Sequence, residues 1–194
     1  AADAEAVMRA AGLERAHVLG VSMGGMIAQE FTLTYPDRVH SLVLGCTAFG
    51  GPQAAPASPE VIQILFARAT MEAEEAIRAM VPHIYDRHTP RERIEEDLAM
   101  RRRTLPTAEG YMAQVRAVLA WSSADRLSQI KAPTLVIHGE TDELIPAANG
   151  RLIAERIPGA ELLLLPLASH IYFTDQPEAS MEATLAFLRR YPMS

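Results

Sequence analysis

The feature that most constrains the fold is a serine placed between a predicted strand and a predicted helix, within residues 16–35. The apolar run at residues 18–21, interrupted only by Gly20, predicts a buried strand. From Met26 onward, apolar and polar residues recur with helical spacing. Ser22 lies between the two patterns, at the centre of the G-x-S-x-G sequence GVSMG. A serine on such a sharp turn has a strained backbone and projects its hydroxyl from the sheet edge.

The glycines around Ser22 are expected to make this turn possible. We expect a β-carbon at Gly20 or Gly24 to crowd the turn, and Gly25 to let the helix pack closely. The first helical N–H groups and the positive end of the helix dipole would then lie beside Ser22. The motif alone leaves open an ordinary strand–helix unit without a catalytic role, because five-residue matches arise often by chance.

Three further apolar runs predict strands, at residues 39–44, 133–137 and 161–165. Helical patterns separate the strands, and this alternation implies an α/β fold with a mostly parallel sheet and helices on both faces. The hydrophobic content of 49% supplies enough apolar surface for a packed core.

Residues 52–127 have a different character, with helix signals and no strand pattern. Ser58-Pro59 predicts one helix start, and Thr89-Pro90-Arg91-Glu92 predicts another with a capping box. We therefore predict a core made of residues 1–51 and 128–194, with residues 52–127 as a helical insertion.

Composition excludes several classes of partner. The net charge of −6 and the lack of a long basic run give no reason to expect nucleic acid or an anionic membrane as a partner. No apolar run is long enough to predict a membrane span. Cys46 is the only cysteine, so no disulfide can form within the chain and a cytoplasmic location is predicted.

The stretch VLGVSMGGMIAQEFTLTYPDRVHSLVL resembles the nucleophile elbow, following helix and next strand of the α/β-hydrolases. It is most similar to the small esterases, enol-lactonases and cofactor-free haloperoxidases. GETDELIP and LASHIYFTDQPE also resemble the acid and histidine loops of the family, although Ser169 stands where a glycine is more usual. The resemblance implies a partial α/β-hydrolase fold, in which residues 52–127 form the cap. It covers roughly the carboxyl-terminal two-thirds of that fold, because the strands before the elbow have no counterpart before Ser22.

The resemblance implies a catalytic triad of Ser22, Asp142 and His170. A serine hydroxyl needs a base to take its proton, and the base needs a carboxylate to fix its tautomer. The three residues occur in the family order of serine, acid and histidine, each after a predicted strand. Glu140 and Glu143 are alternative acids, but the G-x-x-D spacing favours Asp142.

Met23 and Trp121 complete the predicted site. The Met23 backbone N–H is expected to bind the oxyanion, while the loop that supplies the second donor in the family has no counterpart here. Trp121 is the candidate for substrate binding, with core packing as the alternative. Cys46 and Thr47 are candidates for the pocket edge, and for Cys46 a buried core position is the alternative.

No cofactor or metal is predicted, because the histidines and carboxylates show no ligand spacing. His138 is interpreted as structural. The run Arg101-Arg102-Arg103 permits an anion site, but a solvated helix end, with Asp97 and Arg101 paired four residues apart, is favoured.

The predicted function is that of a serine hydrolase, which cleaves a small carboxylic ester or lactone through an acyl-enzyme (EC 3.1.1). Within the family the same triad also serves perhydrolysis and some C–C bond cleavages, and the sequence does not choose among these reactions. The alternative is a catalytically weak, hydrolase-derived fragment that acts as an assembly or binding module, because the strands before the elbow are missing.

The first predicted strand is too apolar for an exposed sheet edge. With no earlier strand beside it, the strand that contains Val18, Leu19 and Val21 would expose an unpaired apolar edge. We therefore expect the isolated chain to form a homo-oligomer, most simply a homodimer that pairs through its first 21 residues.

Overall fold

A computed structural model describes residues 1–193 and contains a sheet of four parallel strands in the order β1-β2-β3-β4. The strands are β1 (Ala16–Val21), β2 (Val39–Gly45), β3 (Thr134–Gly139) and β4 (Glu161–Leu165). All four predicted strands are present, with small differences at their ends. The predicted α/β fold with a parallel sheet is therefore confirmed.

Helices cover the sheet and fill the long connection between β2 and β3. The helices are α1 (Ala2–Ala10), α2 (Met23–Thr34), α3 (Pro59–Ala67), α4 (Ala73–Ala79), α5 (Val81–Ile84), α6 (Arg91–Arg102), α7 (Ala108–Ala120), α8 (Ala148–Arg156), α9 (Tyr172–Asp175) and α10 (Pro177–Arg189). Helices α3 to α7 lie within the predicted cap, and the division of the chain into core and cap stays a prediction. Within residues 1–193, no helix combines the length and the apolar character needed to cross a membrane.

Side chains of β2 point alternately to two hydrophobic clusters, one on each face of the sheet. Leu42 and Leu44 pack with Phe31 of α2 on one face. Val43 packs with Phe187 of α10 on the other. This alternation follows from the two-residue period of a strand, and burial on both faces is typical of parallel sheets.

Both predicted helix starts in the cap are present, at α3 and α6, but only the first has its predicted side-chain cap. The Ser58 hydroxyl accepts a hydrogen bond from the Val61 N–H at 3.3 Å, which confirms the first. The predicted capping box at residues 89–92 is wrong, since α6 has no side-chain cap. The Thr89 hydroxyl instead donates to the Asp175 carboxylate at 2.6 Å.

Strand β1 lies at one edge of the sheet. Within residues 1–193 it pairs with β2 alone. Leu19, at the middle of the strand, is 54% exposed. An apolar side chain therefore faces solvent on a strand whose outer N–H and C=O groups are free to pair.

Candidate active site

Ser22 occupies a strained turn between β1 and α2. Its φ of 57° and ψ of −124° lie in a region that L-residues rarely adopt, at a cost of roughly 1–3 kcal/mol. Backbone contacts hold the turn in place. The Ser22 N–H donates to the Gly45 carbonyl at 2.9 Å, and the Ser22 carbonyl accepts from the Thr47 hydroxyl at 2.7 Å. The strain is thus maintained by bonds to β2 and its exit loop.

The glycines of the turn differ in their importance. A β-carbon on Gly20 would lie 2.2 Å from the Gly24 carbonyl oxygen, and one on Gly25 would lie 2.6 Å from the Thr47 side chain. Both positions therefore require glycine, as predicted. The prediction for Gly24 is wrong, because a β-carbon there would meet nothing within 4 Å.

Gly20→Ala and Gly24→Ala form a matched pair that tests this difference. We expect Gly20→Ala to lower the free energy of unfolding by roughly 1–3 kcal/mol, because the turn must shift to avoid the Gly24 carbonyl. Gly24→Ala should be neutral or stabilising by up to about 1 kcal/mol, because alanine favours the helix. Urea unfolding followed by circular dichroism measures both, and equal losses would contradict the account.

Asp142 and His170 lie in the loops after β3 and β4 and form a buried hydrogen-bonded pair. The His170 Nδ1 donates to the Asp142 Oδ2 at 2.8 Å. The Asp142 Oδ1 accepts from the backbone N–H groups of Leu144 and Ile145 at 2.9 and 2.8 Å. These bonds fix the carboxylate, and with the proton held on Nδ1 the His170 Nε2 can act as a base.

The surroundings of Asp142 favour its ionised form. Burial acts to raise its pKa, but the charge of His170 and the hydrogen bonds from His138 and His170 outweigh burial, so the pKa lies below the usual 3.8. Because the pKa is lower in the folded than in the unfolded chain, ionised Asp142 stabilises the fold above pH 3.8. That contribution is lost as the pH falls through the folded-state pKa.

His138 contacts the acid directly, which its interpretation as a structural residue did not include. Its Nε2 lies 2.7 Å from the Ile145 carbonyl oxygen and 3.4 Å from the Asp142 Oδ2. Gly150 packs against the ring, where a β-carbon would lie 2.6 Å from Nδ1. The fully buried imidazole thus helps to orient the carboxylate.

Two further carboxylates, which no sequence pattern predicted, connect the cap segment to the acid and histidine loops. Asp175 accepts from the Ser169 N–H at 2.7 Å and from the Thr89 hydroxyl at 2.6 Å. Asp86 accepts from the Thr141 hydroxyl at 2.8 Å. Both carboxylates are buried, so this network fixes loop positions. No local pattern could have revealed it, because its members lie far apart in the sequence.

Two cavities open onto Ser22. The serine–histidine cavity measures about 480 Å³ and the serine–methionine cavity about 380 Å³. The first includes Ser22, Arg68, Arg101, Gln114, Leu144 and His170 in its lining. The second includes Ser22, Met23, Arg68, Tyr111, Gln114 and Leu144. A substrate with two arms could thus place one arm in each cavity, with its reacting carbonyl at Ser22.

The Ser22 hydroxyl and His170 line the same cavity without a direct bond. Within residues 1–193, no hydrogen bond joins the Ser22 hydroxyl to the imidazole. Catalytic hydrogen bonds are often long without a substrate and tighten when one binds, so the arrangement remains compatible with proton transfer.

Of the other two predicted site residues, Met23 is adjacent to Ser22 and Trp121 lines a different cavity. Met23 is the first residue of α2, so its N–H has no acceptor within the helix and lies next to Ser22. Trp121 lines a separate cavity of about 360 Å³, which shares four lining residues with the serine–methionine cavity: Met23, Met26, Gln114 and Val118. Its indole N–H donates to Glu30 at 2.9 Å. The role of Trp121 in substrate binding stays a prediction.

Cys46 lies beside the pair of Asp142 and His170. One ligand-type atom from each of the three residues lies within 4.8 Å of the others, a grouping that sequence spacing did not predict. The Cys46 sulfur accepts from the Gly139 N–H at 3.3 Å, and burial is the main cause of a strongly raised thiol pKa. Since metals bind the thiolate, this environment disfavours a metal site, and the absence of a metal stays a prediction.

Comparison with known proteins identifies the family. The sequence model of the alpha/beta hydrolase fold matches residues 1–177, and the chain belongs to this family. The chain is 35% identical over 178 residues to a poly(3-hydroxyalkanoate) depolymerase of Ectopseudomonas oleovorans, covering 90% of this chain and 61% of the relative. The resemblance stated from the sequence is therefore confirmed.

Other relatives show that hydrolases of several kinds resemble this chain. A 2-hydroxy-6-oxononadienedioate/2-hydroxy-6-oxononatrienedioate hydrolase of Burkholderia vietnamiensis is 34% identical over 191 residues, covering 95% of this chain and 66% of the relative. The crystal structure of the enol-lactonase of Burkholderia xenovorans LB400 is 29% identical with a TM-score of 0.81, covering 96% of this chain and 70% of the other. The chain thus spans 61% and 66% of the lengths of these two curated relatives.

Proposed function

We propose that this chain is a serine hydrolase that cleaves a small carboxylic ester or lactone through an acyl-enzyme. One observation carries the proposal. A serine in a strained strand-to-helix turn shares a cavity with a histidine whose Nδ1 is bonded to a buried carboxylate. The family membership and the hydrolase relatives support the same reaction class.

In the proposed reaction, the Ser22 oxygen attacks the substrate carbonyl while the His170 Nε2 takes the serine proton. The Met23 N–H stabilises the negative charge that develops on the carbonyl oxygen. The leaving alcohol departs with the proton from His170, and an acyl group remains on Ser22. Water then attacks the acyl group with His170 again as the base, which releases the acid and restores Ser22. Asp142 stabilises the imidazolium in both steps.

Labelling with a fluorophosphonate tests the nucleophile. We expect one adduct per chain, located on Ser22 by peptide mass spectrometry, because the reagent phosphorylates a serine that a histidine activates. Ser22→Ala should take up no label. Labelling of another serine, or none after hours of incubation, would contradict the proposal.

A catalytically weak assembly module is the second candidate, and the exposed β1 edge favours it. In this case Ser22 would resist the fluorophosphonate while the chain still associates.

We also propose that the isolated chain forms a homodimer through β1. Pairing of two β1 strands would satisfy their free backbone groups and cover Leu19, which is 54% exposed. We expect a dimer by size-exclusion chromatography with light scattering, and its dissociation or aggregation in Leu19→Glu. Leu162→Glu, on the opposite edge strand β4, is the matched control and should leave the dimer intact. A monodisperse monomer of the unaltered chain at micromolar concentration would contradict this proposal.

A further inference from the structure

Arg68 lines both cavities that contain Ser22. Neutral groups hold its guanidinium in place. The Nε donates to the Ala76 carbonyl at 2.9 Å, and a terminal nitrogen lies 3.5 Å from the Tyr111 hydroxyl oxygen. The guanidinium also stacks 5.0 Å from the centre of the Tyr111 ring. Its position is therefore defined by contacts that leave its charge uncompensated.

The cavities contain no acid to balance Arg68. Within residues 1–193, no carboxylate lies within 4.0 Å of the Arg68 guanidinium, and no Asp or Glu lines either cavity. Arg101 lines the serine–histidine cavity as well, but its Nε is paired with the Asp97 carboxylate at 3.1 Å, as the sequence predicted. The net charge of the chain is −6, so the basic residues in the linings of these two cavities contrast with its overall acidity.

We propose that Arg68 binds a carboxylate on the substrate, so that the preferred substrate is the half-ester of a dicarboxylic acid or a lactone that carries a carboxylate. This inference rests on the proposed function, since it places the reacting carbonyl at Ser22. The planar guanidinium matches a carboxylate in geometry and in charge. Gln114 lines both cavities and, among the described residues, its side chain has no hydrogen bond, so its amide can donate to the same carboxylate.

Arg68 also joins parts of the cap, and this structural role makes a different prediction. Its bonds connect the end of α3 to Ala76 in α4 and to Tyr111 in α7. If those bonds were its only role, Arg68→Gln would affect all substrates alike and would lower the melting temperature. Binding of a carboxylate predicts an effect that depends on the charge of the substrate.

The test compares charged and neutral esters of the same length. The probes are the monomethyl esters of straight-chain dicarboxylic acids from succinate to suberate, each beside the methyl ester of the monocarboxylic acid of equal carbon number. We expect the unaltered chain to have a higher kcat/KM for the half-ester at one or more lengths. Arg68→Gln should lower kcat/KM for that half-ester by about 10- to 100-fold, the value of a charged hydrogen bond, and leave the neutral ester nearly unchanged. Arg68→Lys should retain part of the preference.

Arg116→Gln is the matched control, because Arg116 is an exposed residue of α7 outside both cavity linings. Arg116→Gln removes the same charge and should leave kcat/KM unchanged for both the half-ester and the neutral ester. Equal losses for both esters in Arg68→Gln, or no preference for any half-ester in the unaltered chain, would overturn the proposal.

Binding of half-esters to the Ser22→Ala variant tests the carboxylate site independently of the proposed hydrolysis. Calorimetric titration with the same half-esters needs no turnover. We expect binding to Ser22→Ala that weakens by about 10- to 100-fold when Arg68→Gln is added. If the unaltered chain hydrolyses no ester, the proposed function fails, yet charge-dependent binding would still support the carboxylate site. If neutral esters are hydrolysed but the affinity for half-esters is the same with and without Arg68→Gln, the carboxylate site is wrong and the proposed function still stands.

Discussion

Ser22→Ala should reduce ester hydrolysis by a factor on the order of 10⁴ or more and leave the fold nearly unchanged. Loss of the nucleophile of a triad removes the covalent route, and only binding and oxyanion stabilisation remain. The fold should survive because the turn is held by backbone bonds to Gly45 and Thr47, which alanine retains. Alanine must adopt the same strained φ of 57°, so the cost of the turn is unchanged.

Hydrolysis of a chromogenic ester, together with thermal unfolding, measures both parts of this prediction. Ser128→Ala is the matched control, because Ser128 is exposed and lies outside both cavities. It should retain full activity. Activity in Ser22→Ala equal to that of the unaltered chain would show that another group performs the reaction.

Asp142→Asn should lower kcat by a factor on the order of 10⁴, as expected when the acid of a triad becomes an amide. The amide can donate to His170 Nδ1, which favours the tautomer with the proton on Nε2 and removes the base. The backbone bonds to Oδ1 from Leu144 and Ile145 can persist, so the loop should keep its position. The loss should therefore fall on kcat, with KM little changed.

Glu140→Gln and Glu143→Gln are the controls for the identity of the acid. Glu143 bonds to His83 at 2.7 Å and is not bonded to His170 among the described residues. Both variants should keep most of the activity. A large loss in either of them, with an active Asp142→Asn, would mean that the acid is not Asp142.

The sequence was sufficient to predict the strands and the placement of Ser22, Asp142 and His170 after three of them. Strand periodicity is local, and the carboxyl ends of parallel strands meet at one edge of a sheet. Residues that follow different strands can therefore be grouped without knowledge of the packing. For the same reason the parallel α/β architecture followed from the alternation of strands and helices.

Features that depend on contacts between distant segments could not be predicted in this way. The predicted capping box failed because the Thr89 hydroxyl bonds to Asp175, which lies 86 residues later in the sequence. The G-x-S-x-G pattern predicts that Gly24 is necessary, but the space around Gly24 depends on how α2 packs. The place of Arg68 in the lining of both cavities is likewise visible only once α3, α4 and α7 are assembled. The cytoplasmic location stays a prediction.

The long connection between β2 and β3 has a consequence for folding kinetics. Ser22 belongs to the β1–β2 half of the sheet, whereas the residues proposed as acid and base belong to the β3–β4 half. Pairing within each half closes a comparatively short loop, but Gly45 can meet Ile137 only after the whole segment from α3 to α7 has been enclosed. Closing that loop has the largest entropic cost and is expected to be slow. The two halves of the site should therefore join late in folding. During refolding, enzymatic activity should appear only when β2 has paired with β3, after the secondary structure has formed.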